Sequence, residues 1–424
     1  MRQTLAFGVT LVAVAACSDL TTLTQSNPGT LATATVYTPA NASLIVNGAI
    51  GDFECAFSRY VVGSGVFTDE LANAISSGSN FNYDRRTIAT SEAYGSATCG
   101  NNQQAPIYTP LSIARRSADT AVAKLKGWTD AQMPTGVNRT KLIGQSYAYA
   151  GYSLVLLGEG MCSAAINLGP EMTPAQLFAE AKIRFDSAIV TATAASDATT
   201  LNLATLGRAR TQLDLGNVAA AGTDAAAISA SFVVGTSNDA INLRRENFSF
   251  ISINQSSWAT VDPTFRGLTV NGAADSRVAV TNTGKNGTAP GAQMFTPDKY
   301  SSLTTAMPVA RYAEAQLIVA EAKVTAGDIA GATAAINAAR ATHAGLPAYS
   351  STGQTAADVK TQIIEERRRE LFLEGHRLGD LRRYGLAFAP ATGAAYPAGG
   401  TYGNQTCFLL PDVERVNNPN ISKT

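Results

Sequence analysis

Four carboxylates lie within one charged segment near the C-terminus, at Glu365, Glu366, Glu370 and Glu374. Paired carboxylates are the catalytic groups of glycoside hydrolases. Arginines occupy the same predicted helical turns, and Glu365 forms an i,i+4 pair with Arg369. Such ion pairs lower the pKa of a carboxyl group, whereas a general acid needs a raised pKa. The segment is therefore predicted to be structural and not catalytic.

Other catalytic chemistry finds little support in the sequence. The two histidines, His343 and His376, leave few residues for a metal site or a histidine base, and neither has a convincing catalytic setting. Nucleophile-elbow, dinucleotide-binding and P-loop motifs are absent from the sequence. Lys plus Arg equals Asp plus Glu at 32 each, so charge gives no reason to expect nucleic acid as a partner. We expect a protein that binds, with no enzyme activity, cofactor or metal.

Two predicted helices, joined by a turn at Gly327, precede the charged segment and would position it. Apolar residues recur on both at helical spacing, and Ala320 and Ala332 are small enough for the backbones to approach closely. A small residue seven positions before a turn glycine occurs twice more, which is typical of tetratricopeptide repeats. We predict a mostly α-helical, tetratricopeptide-like α/α superhelix with long irregular loops and a few short strands. Its helix pairs are predicted near residues 139–195, 201–230 and 308–345, and its closing helix over 356–384.

The C-terminal quarter contains the motifs Arg-x-Ala-Glu, Glu-Arg-Arg-Arg-Glu-Leu, Glu-Gly-x-Arg, Asp-Leu-x-Arg and a terminal Pro-x-x-Glu-x-x-x-Asn-Pro. Together these motifs resemble the signature of SusD/RagB-like outer-membrane lipoproteins, which capture nutrients. The residues that carry the signature are Arg311, Glu314, Glu366, Arg369, Glu370, Glu374, Arg377 and Asp380. Asp275-Ser276-Arg277 also looks like an Asp-x-Arg of this family. The resemblance implies a single SusD-like domain over 41–424 that delivers its ligand to a TonB-dependent transporter.

The N-terminus reads as a bacterial lipoprotein signal. A basic start and a short apolar run lead to Val14-Ala15-Ala16-Cys17, which has the form of a lipobox cleaved before Cys17. The run is too short to span a bilayer. We predict a signal peptide over 1–16, lipidation at Cys17 and a flexible tether over 17–40, with the protein anchored to the outer membrane and facing the cell surface. The alternative is an ordinary secretory signal with a chance cysteine.

Four further cysteines remain in the exported chain: Cys55, Cys99, Cys162 and Cys407. An even number in an exported protein indicates disulfides, and four cysteines allow three pairings. The sequence does not choose between them, and buried free thiols are the alternative.

Two loop-rich segments, 76–106 and 232–307, interrupt the helical pattern. A long irregular excursion inside a compact domain is uncommon unless it has a function. The family resemblance implies a glycan ligand, for which aromatic faces stack on sugar rings while amides and Arg bind hydroxyls. The candidate ligand-binding residues are Phe81, Tyr83, Tyr94, Trp258, Tyr300, Arg85 and Asn254. Each aromatic has the alternative role of fixing its loop to the helical scaffold.

The predicted function is capture of a glycan or oligosaccharide for a TonB-dependent transporter. Capture of peptides is one alternative, since the family includes members that handle them. A tetratricopeptide-type adaptor that binds proteins is another, and a surface hydrolase is disfavoured by the missing catalytic residues.

Overall fold

The structure, a computed structural model, describes residues 33–76, 78–100 and 105–422. The predicted lipidation site Cys17 and most of the predicted tether lie outside these residues. The chain falls into two units, Met1–Thr38 and Pro39–Thr424. In the first unit the described residues include one short helix, α1 (Thr33–Val36).

The second unit is mostly helical, as the sequence predicts. Its helices are α2 (Ala42–Phe67), α3 (Ser79–Arg85), α4 (Ala93–Ser96), α5 (Tyr108–Lys126), α6 (Arg139–Gly160), α7 (Pro174–Ala194), α8 (Ala198–Asp214), α9 (Val218–Ala226), α10 (Tyr312–Thr325), α11 (Ile329–Arg340), α12 (Ala356–Glu370), α13 (Arg377–Tyr384) and α14 (Asp412–Asn417). Within the described ranges, none of the helices has the length and apolar character needed to span a bilayer.

Helices α5 to α11 pack on one another in chain order, and α2 packs against α5 and α6. This order is that of a helical repeat array, in which each element contacts its neighbours. Helix α9 packs on α10 although residues 227–311 separate them, so the long excursion is inserted into the stack without interrupting it. The stack is a rigid support from which the excursion extends.

Close contact between neighbouring helices depends on small residues. The ring of Phe185 on α7 fits between Gly151 on α6 and Gly207 on α8, where an added Cβ would lie 2.7 and 2.4 Å from ring atoms. Phe185 is fully buried there. Helix α7 begins at a clear local signal, because Thr173 and Gln176 form a capping box and a proline follows the cap. The capping residues at its start and the packing of its side chains thus both favour helix α7 at this position.

The excursion contains short antiparallel strands, one of which pairs with a strand that lies just after α2. The strands are β1 (Leu71–Asn73), β2 (Val233–Gly235), β3 (Ala259–Val261), β4 (Thr269–Val270), β5 (Ala273–Ala274), β6 (Val280–Asn286), β7 (Gln293–Pro297) and β8 (Pro308–Arg311), paired as β1–β3, β2–β8, β4–β5 and β6–β7. One of the few short strands that the sequence predicts is the apolar run from Phe248 to Ile253, but the structure gives a π-helical turn over Phe250–Gln255. A short apolar run does not distinguish strand from buried helix, which is why that prediction is wrong.

The predicted closing helix over 356–384 is two helices. Helix α12 ends at Glu370 and α13 begins at Arg377. Between them Leu373 and Gly375 adopt left-handed backbone conformations, with φ of 55° and 75°. A helix cannot continue through such residues, so the chain turns and α13 packs against α2 and α6.

The four cysteines pair as Cys55–Cys99 and Cys162–Cys407. The second bridge is 2.02 Å between sulfurs and joins the end of α6 to the loop before α14. Backbone hydrogen bonds continue this attachment, since Cys162 N donates to Phe408 O at 2.8 Å. The C-terminal loop is thereby held against the helical stack.

Replacing both Cys162 and Cys407 by Ala is expected to lower the free energy of unfolding by about 2–4 kcal/mol, because the bridge closes a long loop in the unfolded chain. Urea denaturation under non-reducing conditions measures the change. The Cys55→Ala, Cys99→Ala double variant is the matched comparison, and its shorter loop predicts a smaller loss. Equal stability of the wild type and the first variant would contradict this role.

Candidate functional site

The face of α12 holds the excursion in place through buried ion pairs. Arg277 donates from Nη1 to Glu366 Oε2 at 2.6 Å and from Nη2 to Asp275 Oδ2 at 2.8 Å, and all three side chains are about 1% exposed or less. Arg369 donates to Thr269 O at 2.9 Å and contacts Asp275 at 3.2 Å. The Asp-x-Arg of the excursion is therefore bound to the charged segment.

Further ion pairs of signature residues complete a buried network around the charged segment. Arg311 pairs with Glu370 (Nη1–Oε1, 2.6 Å) and with Glu374 (Nη2–Oε1, 2.9 Å). Arg377 pairs with Asp69 at 2.6 Å, and Asp380 pairs with Arg367 at 2.9 Å. Every one of these carboxylates has an arginine partner, so the network supports the scaffold interpretation of the charged segment.

Glu314 and His376 lie in the centre of this network. Burial raises the pKa of Glu314 to about 7, against the opposing charges of Arg210 and Arg367. Burial also lowers the pKa of His376 well below its usual value, and the same arginines add to the effect. His376 is 4% exposed and Arg210 Nη1 lies 3.3 Å from its Nε2, so a packing role is what its surroundings support.

Three of the predicted ligand-binding aromatics are core residues. Tyr83, Tyr94 and Tyr300 are 0% exposed. Their hydroxyls donate to the backbone carbonyls of Ala105 (3.1 Å), Leu409 (2.9 Å) and Leu373 (2.7 Å), respectively. A buried Tyr needs such a partner for its hydroxyl. These rings therefore fix loops to the scaffold and are not available to a ligand in this structure.

The other four predicted residues are not gathered at one surface. Arg85 Nε donates to Thr401 O at 2.9 Å and so ties α3 to the C-terminal loop. Trp258 is half-buried on the core, with its ring 6.2 Å from that of Phe248. Asn254 Oδ1 is buried and has no hydrogen-bond partner among the described residues. Phe81 is half-buried and packs against Tyr396, a residue of the cavity described next.

A cavity of about 200 Å³ lies where the two predicted loop segments meet the C-terminal loop, and we call it the loop cavity. Three separate parts of the chain line it. Its residues are Ala72, Asn73, Asp84, Thr260, Asp262, Pro263, Arg266, Ala289, Pro290, Gly291, Ala292, Pro390, Tyr396, Pro397, Ala398 and Tyr402. The cavity brings the segments 76–106 and 232–307 together, although not through the aromatic residues that the sequence suggested.

Aromatic rings form one wall of the loop cavity. Phe81 packs edge-on against Tyr396, and Tyr396 packs edge-on against Tyr402, each with ring centroids 5.0 Å apart. Neither tyrosine is among the residues predicted from the sequence, and both lie in the Gly- and Pro-rich loop just before Cys407. Two tyrosines within such a loop, tied down by a nearby disulfide, are the signal that could have revealed them.

Polar groups complete the loop cavity. The buried carboxyl of Asp84 accepts hydrogen bonds from Asn73 N (3.0 Å) and Tyr396 Oη (3.2 Å), and burial raises its pKa to about 7. Burial also raises the pKa of Asp262. Arg266 donates to Val261 O at 2.8 Å, with its guanidinium 4.0 Å above the ring of Phe295. Carboxyls with raised pKa values in a cavity are typical of functional sites.

The loop cavity offers hydroxyl-binding groups beside flat apolar surfaces. Carboxylates and a guanidinium bind hydroxyls, and tyrosine and proline rings provide apolar contact for the C–H face of a sugar. The volume lies below the roughly 300–1,000 Å³ typical of sites for drug-sized ligands, so the cavity suits a single sugar ring at most. Among the described residues, no group of three or more His, Cys, Asp or Glu side chains is placed to hold a metal ion.

Solved structures share this fold over nearly their whole length. Surface glycan-binding protein A from Bacteroides thetaiotaomicron has a TM-score of 0.67 at 14% identity, covering 90% of this chain and 97% of its own. A SusD superfamily protein from Bacteroides fragilis has a TM-score of 0.66 at 15% identity, covering 91% and 99%. A laminarin-binding SusD-like protein has a TM-score of 0.63 at 16% identity, covering 90% and 98%.

The model of the SusD family matches residues 261–409 of the sequence. The chain is SusD-like. The resemblance predicted from the C-terminal motifs is thereby confirmed, and so is the tetratricopeptide-like helical fold. None of the curated proteins matches this SusD-like sequence. The matched range includes the lining of the loop cavity from Asp262 to Tyr402.

Proposed function

We propose that this SusD-like protein captures a glycan at the loop cavity and delivers it to a TonB-dependent transporter in the outer membrane. The observation that carries the proposal is the loop cavity itself, in which Asp84, Asp262 and Arg266 face a tyrosine wall. Two proteins of the same fold are described as glycan-binding and laminarin-binding. Binding without turnover is proposed, because the carboxylates of the charged segment are paired with arginines.

Delivery requires a partner and an anchor. The sequence contains no P-loop, so the energy for uptake would come from the transporter. Acylation of Cys17 would hold the protein at the outer membrane, since several acyl chains suffice for stable anchoring. Pull-down from solubilised outer membranes tests the partnership, and recovery of a barrel-sized protein is the expected result. Recovery of soluble partners alone would favour the tetratricopeptide-type adaptor.

Ala398→Trp is expected to weaken binding of a neutral oligosaccharide more than tenfold, because the exposed Ala398 lines the loop cavity and an indole there occupies the space of the sugar. Calorimetric titration, after a screen of neutral oligosaccharides and peptides, measures the change. Ala395→Trp, at an exposed position in the same loop outside the cavity lining, is the matched control and should bind normally. Equal affinities of wild type and Ala398→Trp would place the ligand elsewhere.

Cys17→Ser is expected to release the protein from the membrane fraction, because the serine cannot form the thioether to the lipid. Cell fractionation followed by intact-mass measurement checks this. If the variant stays in the membrane and the wild type carries no acyl mass, the anchor proposal is wrong.

A further inference from the structure

A second cavity, of about 510 Å³, lies between the end of α13 and the first and last residues of the loop that follows it. We call it the arginine cavity. Its lining is Arg86, Leu381, Arg382, Gly385, Leu386, Ala387, Phe388, Ala391, Thr392, Asn404, Gln405 and Thr406. The volume lies within the usual range for small-molecule sites. The lining contains two cationic side chains and no acidic one, in contrast to the loop cavity with its two carboxyls.

Both arginines of this cavity donate only to backbone carbonyls within the described chain. Arg86 donates to Gly403 O and Ala389 O, each at 3.4 Å, and to Pro390 O. Arg382 uses Nη1 alone, with acceptors that include Glu159 O at 2.6 Å. No carboxylate of the described residues lies within 4.0 Å of either guanidinium.

The arginines of the network around α12 have the carboxylate partner that Arg86 and Arg382 lack. Arg277, Arg311 and Arg367 are each bonded to a carboxylate at 2.6 to 2.9 Å. Burial lowers the pKa of Arg86 and of Arg382, whereas the carboxylates raise the pKa of Arg311. An anion entering the arginine cavity would supply the missing charge partner, and guanidinium groups are suited to bidentate binding of carboxylate and sulfate-like groups.

The rest of the lining is suited to a sugar. Asn404 and Thr406 are exposed and present an amide and a hydroxyl group, and the half-buried ring of Phe388 offers an apolar face, whereas the hydroxyl of Thr392 already donates to Gly403 O at 3.2 Å. Gln405 is already engaged, since its side chain bonds both the N–H and the carbonyl of Ile88. The polar groups that remain can form hydrogen bonds with the ring hydroxyls of a sugar that carries a charged substituent.

We propose that the arginine cavity is a second binding site, which takes an acidic sugar through its carboxylate or sulfate group. The anion is held by the half-buried Arg382, whose hydrogen bonds within the described chain use Nη1 alone, in the field of the buried Arg86. The sugar ring lies against Phe388 with its hydroxyls on Asn404 and Thr406. This site is independent of the proposed function, because it shares no lining residue with the loop cavity.

Calorimetric titration of the full chain with an oligogalacturonide, with its methyl ester and with a sulfated oligosaccharide tests the proposal. The charged ligands are expected to bind and the ester to bind at least about tenfold more weakly, with affinity falling as salt rises. Binding by the oligogalacturonide alone identifies carboxylate as the recognised group, and binding by the sulfated sugar alone identifies sulfate. Equal binding of acid and ester, or no binding of either charged sugar, overturns it. Binding of a peptide acid in place of both sugars also overturns it.

Asn404→Asp gives a variant that leaves the core intact, because Asn404 is exposed. It places a negative charge in the cavity and is expected to weaken binding of the charged sugar about tenfold or more. Asn286→Asp makes the same change at an exposed position at the end of β6, outside both cavity linings, and should bind as the wild type does. If Asn404→Asp binds the charged sugar as tightly as Asn286→Asp, the sugar does not occupy the arginine cavity.

Discussion

Glu370→Ala is expected to lower the free energy of unfolding by about 3–5 kcal/mol, the usual cost of removing one partner from a buried ion pair. The side chain is 1% exposed, and its Oε1 accepts from Arg311 Nη1 at 2.6 Å and contacts His343 Nε2 at 2.7 Å. Arg277 Nη1 lies 3.6 Å from its Oε2. Truncation would leave the guanidinium groups of Arg311 and Arg277 with less charge compensation at a position where the carboxylate is buried.

The pH dependence of stability provides a second measure of the same group. Burial by itself raises the pKa of Glu370, but the hydrogen bond from His343 and the charge of Arg311 hold it at about 2. The pKa of Glu370 in the folded protein thus lies below its value in the unfolded chain. Its contribution to the free energy of unfolding is therefore fully present above about pH 4.5. It is lost as the pH falls from there through 2. Wild type and Glu370→Ala should therefore converge in stability on acidification.

Glu365→Ala is the matched control, on the same helix. Glu365 is 34% exposed in its side chain and pairs with Arg368 and Arg369 within its own helix. Pairs of this kind contribute less than about 1 kcal/mol. Urea denaturation of the three proteins at neutral pH gives the comparison. Similar losses for both variants, or none for Glu370→Ala, would show that the network does not hold the scaffold.

The helix pairs could be predicted from the sequence because their requirements are local. A turn glycine with positive φ occurs at Gly216 and Gly327, and small residues precede each by seven positions. Both Ala209 and Ala320 are fully buried, as close approach of the helices requires. Such signals depend on a few neighbouring residues, so one sequence is enough to read them.

The binding site could not be predicted in the same way, since the exposure of a loop aromatic depends on residues far along the chain. Tyr94 is buried because Leu409 provides a carbonyl for its hydroxyl and Phe408 packs on its ring. Tyr396 reaches the loop cavity because Asp84, on α3, accepts its hydrogen bond. Sequence reasoning identified the segments that meet and not the side chains that face the cavity.

Trp258 illustrates the same limit. The sequence favours it as a stacking platform, but its ring packs against Phe248 and the core, and it is not part of the loop cavity lining. On this placement Trp258→Ala should reduce stability more than it reduces ligand affinity.

Asp84→Asn is expected to raise the free energy of unfolding at pH 8, by up to about 4 kcal/mol. Burial raises the pKa of Asp84 from 3.8 to about 7, so the folded protein carries a costly buried carboxylate above pH 7. The sign follows from linkage: with the folded pKa above the unfolded one, stability is highest below about pH 4. It falls as the pH rises through 7. An amide keeps an acceptor oxygen for Asn73 N and Tyr396 Oη without the charge.

The same substitution should weaken glycan binding about tenfold at pH 8, because a carboxylate accepts hydroxyl hydrogen bonds more strongly than an amide does. Wild-type affinity should rise as the pH passes upward through about 7, and the variant should lack that step. The substitution would then raise stability and lower affinity. That pattern is expected when a buried charge that destabilises the fold is needed for binding.

Urea denaturation and calorimetric titration at pH 5 and pH 8 measure both effects of Asp84→Asn. At pH 5 Asp84 is protonated in the folded protein but mostly ionised in the unfolded chain, so the gain in stability from the substitution should shrink to less than half of its value at pH 8. Asp298→Asn, an exposed position at the end of the β6–β7 hairpin, makes the same chemical change without burial and should alter neither property. A variant that is less stable than wild type at both pH values would make Asp84 a structural acceptor for Asn73 and Tyr396. In that case the tyrosine wall would be held in place by Asp84, and the carboxylate would not be the group that receives the sugar.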